Sequence, residues 1–213
     1  MVYLPEHFAE HDMAAVQALI EEHPLGLLIT LGSGGLSANH IPFVLDRGFG
    51  DAGRLLGHVA RNNEVWHDHA AETEALVVFQ AAEGYISPNW YPTKQDAHRV
   101  VPTWNYAVAH AYGPLIVHDD DKWLRGQAGR LTKMMEAAQP TPWKMADAPR
   151  DYLETMLANI VGIEIPITRL VGKVKAGQNR ELIDRTGAIA GLRSDGDPGD
   201  RVMADVMEAL LPQ

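Results

Sequence analysis

A chain of 213 residues, 46% apolar and 22% charged, can bury a sizeable core as one domain and has the balance of an ordinary globular protein. No apolar run reaches the ~20 residues of a membrane span, and Met1-Val2-Tyr3-Leu4-Pro5-Glu6-His7 has neither the basic leader nor the apolar core of a signal peptide. Zero cysteines exclude disulfides, thiolate metal ligands and a cysteine nucleophile and agree with the cytoplasm, while a net charge of −10 leaves nucleic-acid binding dependent on a local basic patch.

The spacing of Met13, Val16 and Ile20 predicts a helix over Glu6 to Glu22, ended by Pro24. Leu25 to Leu31 reads as a strand closed by the turn Gly32-Ser33-Gly34-Gly35, with Leu36 to Leu45 as its partner and Pro42 marking an edge or bulge. Arg54 to Ala60 and Ala75 to Gln80 are further strands flanking a short helix around Asn63 to Ala70. Ala107 to His118 and Ile160 to Lys175 are long enough to bend around a barrel. Asp119 to Ala138 is a helix opened by three aspartates, with Trp123, Leu124, Leu131 and Met135 as its apolar stripe. Another helix begins near Pro149 with Tyr152, Leu153, Met156 and Leu157 facing inward. The last forty residues read as helix, a Gly/Asp-rich loop from Ser194 to Asp200, and a closing helix through Leu211. This pattern is α+β: an antiparallel barrel carrying helices, in one domain over 1–213 with 176–213 as a helical extension.

The densest aromatic region is Tyr85-Ile86-Ser87-Pro88-Asn89-Trp90-Tyr91 followed by Val101-Pro102-Thr103-Trp104-Asn105-Tyr106. Flat amphipathic rings beside fixed turns suit the sandwiching of a planar ligand; a rigid aromatic corner of the core is the alternative. In His58-Val59-Ala60-Arg61-Asn62-Asn63 an apolar strand runs into a forked cation and two amides at a helix mouth, which suits a phosphate monoester and equally a capping turn with a solvated arginine. Lys175, Gln178 and Asn179 form a polar strand end able to bond a heterocycle edge or a phosphate. Asn39 and His40 lie among small residues of a bent strand, and His40 reads first as a hydrogen-bonded structural histidine. Arg169, Lys173, Lys175 and Arg180 are the densest basic cluster and resemble one small anion site rather than a duplex-binding face. His7 with His11 and His67 with His69 lack a third ligand, so no metal is expected. Walker, Gly-x-Gly-x-x-Gly, Gly-x-Ser-x-Gly and His-Glu-x-x-His motifs are missing, and no catalytic residue stands out.

In order along the chain, Met1-Val2-Tyr3-Leu4-Pro5 with Phe8, His23-Pro24-Leu25-Gly26, His40-Ile41-Pro42-Phe43, Gly57 to Asn63, Tyr85 to Tyr91 with Lys94, Val100 to Tyr106 and Gln178-Asn179 resemble the PaiB family of FMN-binding negative transcriptional regulators. That resemblance implies the split β-barrel shared with pyridoxamine-phosphate oxidases, and a homodimer holding FMN in a groove between subunits. It places His58 to Asn63 at the phosphate and ribityl site with Arg61 as the phosphate cation, and Pro102, Thr103, Trp104, Asn105 and Tyr106 at the isoalloxazine. Lys175, Gln178 and Asn179 would line the same groove, where Ala176-Gly177 departs from the bulkier residue and serine of the family pattern. Three functions are compatible with it. One is a regulator, acting through a partner because the chain is acidic and shows no DNA-reading helix. The second is an FMN-dependent oxidoreductase using NAD(P)H. The third is haem binding or degradation with His40, His58 or His110 as iron ligand.

Overall fold

The computed structural model describes residues 2–195 and 197–212. Its elements are β1 (Ala9–Glu10), α1 (Met13–Glu22), β2 (Leu25–Gly32), β3 (Gly35–Pro42), β4 (Val44–Asp46), β5 (Arg54–Ala60), β6 (Ala75–Ile86) and α2 (Lys94–Ala97). They continue as β7 (Thr103–Gly113), β8 (Ile116–His118), α3 (Asp121–Glu136), α4 (Arg150–Ala158), β9 (Ile160–Pro166), β10 (Arg169–Lys175), α5 (Leu182–Asp195) and α6 (Pro198–Ala209). The chain divides into two compact units, one of residues 13–79 and 110–170, the other of residues 1–12, 80–109 and 171–213.

In the unit of 13–79 and 110–170, β2 pairs antiparallel with β3 from Leu25↔Pro42 to Gly32↔Gly35, and its other edge pairs with the start of β6 at Leu27↔Val78. A second antiparallel sheet runs β4-β5-β9-β8. Every interior residue of β9 is buried, as expected of a strand covered on both faces. Phe43, Phe79, Leu28, Leu55, Leu56, Ile163 and Ile165 make the core, Phe43 and Phe79 meeting edge-on at 6.1 Å. In the other unit β1, β10, β7 and β6 lie side by side in that order. Ile86, Tyr91, Ala188, Ile189, Leu192, Met203 and Met207 form its core, so α5 and α6 of the 176–213 segment are part of a packed interior. Arg193 of α5 locks α6 by donating to Asp205 at 2.9 Å and Glu208 at 2.6 Å.

Several elements differ from expectation, each for a local reason. The helix expected from Glu6 is a 3₁₀ turn at Glu6–Phe8 and the strand β1, whose Ala9 and Glu10 pair with Lys173 and Gly172. The α-helix starts only at Met13, after the Glu10 carboxylate accepts the Asp12 amide at 2.8 Å. The strand expected from Leu36 to Leu45 is two: Pro42 ends β3, the Phe43 amide turns to the Pro24 carbonyl at 2.9 Å, and β4 joins the other sheet. Asn63 to Ala70 holds only a 3₁₀ turn at Glu64–Trp66. Pro114 separates β7 from β8. Pro166 precedes the break between β9 and β10, where Thr168 donates to the Tyr112 carbonyl at 2.9 Å instead of continuing a ladder. Tyr152 and Met156 of α4 are exposed and Leu157 alone is fully buried there. On α3 Met135 is exposed, and Leu124 and Gln127 are the buried pair. The expected 194–200 loop is shorter, with Asp197 capping α6 by accepting the Gly199 amide at 2.7 Å; Gly196, like Met1 and Gln213, lies outside the described residues.

Candidate functional site

The predicted site residues fall into two clusters, one in each unit. In the first, β5 delivers Arg61 to a dense set of acceptors. Its Nε donates to the Ala158 carbonyl at 2.7 Å, Nη1 and Nη2 grip Asp119 at 3.0 and 2.6 Å, and Nη2 also reaches the Ile160 carbonyl at 3.0 Å. A bidentate guanidinium–carboxylate pair is the strongest geometry available to an arginine. The pairing holds Asp119 below the usual aspartate range and raises Arg61 further. Arg61 is thus a clasp between the end of β5 and the segments on either side of α3 and α4, with one Nη1 proton left over. Ala60, Arg61, Asn62 and Asn159 line an open depression of about 480 Å³, and Asn62 is exposed.

Around it, Asn63 caps the following 3₁₀ turn by accepting the Val65 amide at 3.0 Å and donates to Asn39 Oδ1 at 2.9 Å. Asn39 donates onward to Ser37 Oγ at 3.1 Å. His58 Nδ1 donates to Gln127 Oε1 at 2.8 Å, and Gln127 donates to the Leu56 carbonyl at 3.3 Å, so this half-buried histidine ties β5 to α3. Val59 is buried beside it. His40 is exposed on β3 opposite Leu27, not enclosed among apolar side chains as its neighbours in sequence suggest. Asp119 and Gln127 were not singled out by sequence. Asp119 is masked by the aspartate run, whose second member, Asp120, is the α3 N-cap and accepts the Trp123 amide at 2.8 Å. Gln127 gives no sequence signal.

The second cluster joins the start of β7 to the end of β10. Lys175 Nζ donates to Thr103 Oγ1 and to the Trp104 carbonyl, both at 2.5 Å. Lys173 and Lys175 lie 5.2 and 5.8 Å from the centre of the Tyr106 ring. Burial is the main cause that pulls Lys175 below the usual lysine range, opposed by Tyr106 and reinforced by Lys173 and Arg180. Trp104 stands edge-on to Tyr85 at 5.9 Å, and the two rings are 54% and 43% exposed, leaving aromatic surface open to a ligand. Pro102 is exposed just before them. Asn105 is buried, its amide 3.3 Å from Met207 Sδ.

Ala176 is fully buried and Gly177 has φ +75°, a left-handed turn that a side chain disfavours; this is the physical reason for two small residues there. Gln178 closes the turn, accepting the Ala176 amide at 2.8 Å and donating to the Val174 carbonyl at 2.6 Å, while Asn179 is exposed. Arg180 lies over the Tyr91 ring at 5.3 Å. The aromatic motif therefore divides: Trp90 and Tyr91 pack into the core, and Tyr85 and Trp104 face outward.

Two solved structures share this fold. The FAD and haem binding protein from Mycobacterium smegmatis superposes with a TM-score of 0.58 at 17% identity, over 84% of this chain and 79% of its own. The flavocytochrome Anf3 from Azotobacter vinelandii gives 0.58 at 13%, over 82% and 73%. The fold is that of the split-barrel flavoproteins, α+β with two antiparallel sheets. The family described as "Putative FMN-binding domain" matches residues 2–169. The protease synthase and sporulation protein PAI 2 of Bacillus subtilis is 30% identical over 99% of this chain and 98% of its own length. An uncharacterized protein of Emericella nidulans is 34% identical over 97% and 96%. The chain belongs to this PaiB-type FMN-binding family, and that membership supports a flavin cofactor. No helix among the described residues is long and apolar enough to cross a membrane, and no group of three metal-ligating side chains occurs among them.

Proposed function

We propose that the chain is a flavin-binding regulator of the PaiB type, working as a homodimer and through a protein partner. The observation that carries the flavin assignment is the Lys175 cluster. Exposed rings of Tyr85 and Trp104 offer a planar isoalloxazine apolar surface, and a partly desolvated ammonium beside Tyr106 offers it a cation. Asn179 and Arg180 are available for the polar chain of the cofactor. Arg61 is a weaker phosphate cation than its sequence context implies, because Asp119 already fills its fork.

A dimer is supported by β3. This edge strand leaves Leu36 81% exposed and Ser37, Ala38 and His40 exposed beside it, and an uncovered edge of that length invites a partner strand or surface. Regulation through a partner is supported by the net charge of −10. The test is to add FMN to the purified chain, remove the excess, and record visible absorption and sedimentation. Retained flavin on a dimer is expected. Lys175→Gln should weaken FMN by about 1.5–3 kcal/mol, the range for a charge-assisted bond. Monomers, or FMN affinity indifferent to Lys175→Gln, would overturn the assignment.

One observation favours a second reading, an FMN-dependent oxidoreductase. Bound flavin would supply hydride chemistry, and the Lys175 ammonium would stabilise negative charge gained on reduction. Rapid anaerobic bleaching by NADH or NADPH selects this reading; flavin that stays oxidised selects the regulator.

A further inference from the structure

The groove formed by the C-terminal end of α3 and the segment after it takes part in neither cluster. It encloses about 510 Å³, within the range of small-molecule sites, and Pro142, Trp143 and Met145 supply its apolar walls. Those walls are held in place. The Glu136 carboxylate accepts the Trp143 amide at 2.8 Å, and the Lys144 amide donates to Asp147 Oδ2 at 2.9 Å, forming the turn that carries Met145. Trp143 is nevertheless 45% exposed, so the indole is presented to the groove and not spent in the core. Gly129 keeps the floor bare: a Cβ there would meet nothing nearer than Met145 Sδ at 3.5 Å.

The charges of the lining point to the ligand's chemistry. Lys133 and Lys144 line the groove, and neither forms an ion pair among the described residues. The one carboxylate in the lining, Glu136, is tied to the wall by the Trp143 amide, and with two ammoniums against it the lining keeps a net positive charge. In a chain with an excess of ten negative charges, two unpaired ammoniums beside an indole, a proline and a thioether are complementary to a planar apolar body bearing an anionic group.

We propose that this groove is a second ligand site, separate from the flavin, that takes a small aromatic carboxylate. The ring packs on Trp143, Pro142 and Met145, and the carboxylate is drawn to Lys133 and Lys144. The test is calorimetric titration of the full chain, saturated with FMN, using 2-naphthoate and its uncharged analogue 2-naphthamide. Naphthoate is expected to bind one per chain and more tightly than the amide. Gly129→Leu should abolish binding by filling the floor, while retaining FMN and melting no lower than the parent, because leucine is a better helix former than glycine. Lys133→Gln combined with Lys144→Gln should weaken naphthoate about tenfold, to the level of the amide, and leave the amide unchanged. The proposal is overturned by absence of naphthoate binding at millimolar concentration, by equal affinity for acid and amide, or by undiminished binding to Gly129→Leu. It is also overturned if Gly129→Leu changes the oligomeric state, which would make the groove a protein-docking surface.

Discussion

Replacing Gly191 by alanine tests how the aromatic motif is built into the fold. A Cβ at Gly191 would lie 2.1 Å from Trp90 Cδ2 and 2.3 Å from Cγ, and one at Gly187 would lie 2.2 Å from the Trp90 carbonyl oxygen. The two glycines, four residues apart on α5, make one flat face that lets the helix rest directly on Trp90. Carbon atoms in contact prefer about 3.5–4.0 Å, so α5 must retreat by roughly 1.5 Å or the indole must leave. Retreat loosens Ala188, Ile189 and Leu192 from Ile86, Met203 and Met207. Alanine recovers about 1 kcal/mol of helix propensity, but overpacking against a rigid bicyclic ring lies at or beyond the upper end of the usual 1–3 kcal/mol. The net expectation is a loss of about 2 kcal/mol, or about 4–8 °C in the melting midpoint for a chain of this size. Thermal melts monitored by circular dichroism provide the assay, with Gly126→Ala as the control. A Cβ at Gly126 meets nothing within 4 Å, so that variant should gain up to about 1 kcal/mol. Opposite signs are required. A Gly191→Ala protein as stable as the parent would show that Trp90 does not sit against α5 and that the motif is not a core corner at this end.

Arg61→Ala and Asp119→Asn should each lower the melting midpoint, and the double variant should lose less than the sum, since the two changes break one clasp. Because Arg61 holds the Asp119 carboxyl below its ordinary value of 3.8, its stabilisation is complete above that pH and fades as pH falls through the depressed folded value. Asp119→Asn should therefore flatten the acid limb of a melting-midpoint-versus-pH curve below about pH 4; an unchanged limb would assign the acid sensitivity elsewhere. Lys175 shows the same sign of slope in the alkaline range for the opposite reason, because burial disfavours its charged form. Its depressed folded value means that the unfolded chain binds its proton more tightly, so stability rises as pH climbs from that value toward 10.5. Lys175→Met should remove this alkaline gain. Glu164, buried where it accepts from Arg54 at 3.2 Å and His118 at 2.9 Å, should cost about 1.5–3 kcal/mol as Glu164→Gln, read by urea unfolding.

The family resemblance was legible because its carriers are local: ordered motifs of aromatic residues, prolines and asparagines whose identity survives without knowing what they touch. The α+β class was equally legible, since period-2 and period-3.6 patterning is a property of neighbours along the chain. Strand ends were less so. Pro42, Pro114 and Pro166 are visible punctuation, but whether the chain bends within a sheet or changes sheet depends on where the freed amides find acceptors, as Phe43 does at Pro24. What each candidate site residue touches was decided only by tertiary structure. Arg61 looks like a phosphate cation until Asp119, 58 positions away, occupies its guanidinium. His58 looks available until Gln127, 69 positions away, accepts a hydrogen bond from its Nδ1. Trp90 and Trp104 look alike in sequence, and one faces α5 while the other faces solvent. Composition and pattern state which groups a chain owns; long-range packing alone decides which of them are already satisfied, and an unsatisfied group is the one left to meet a ligand.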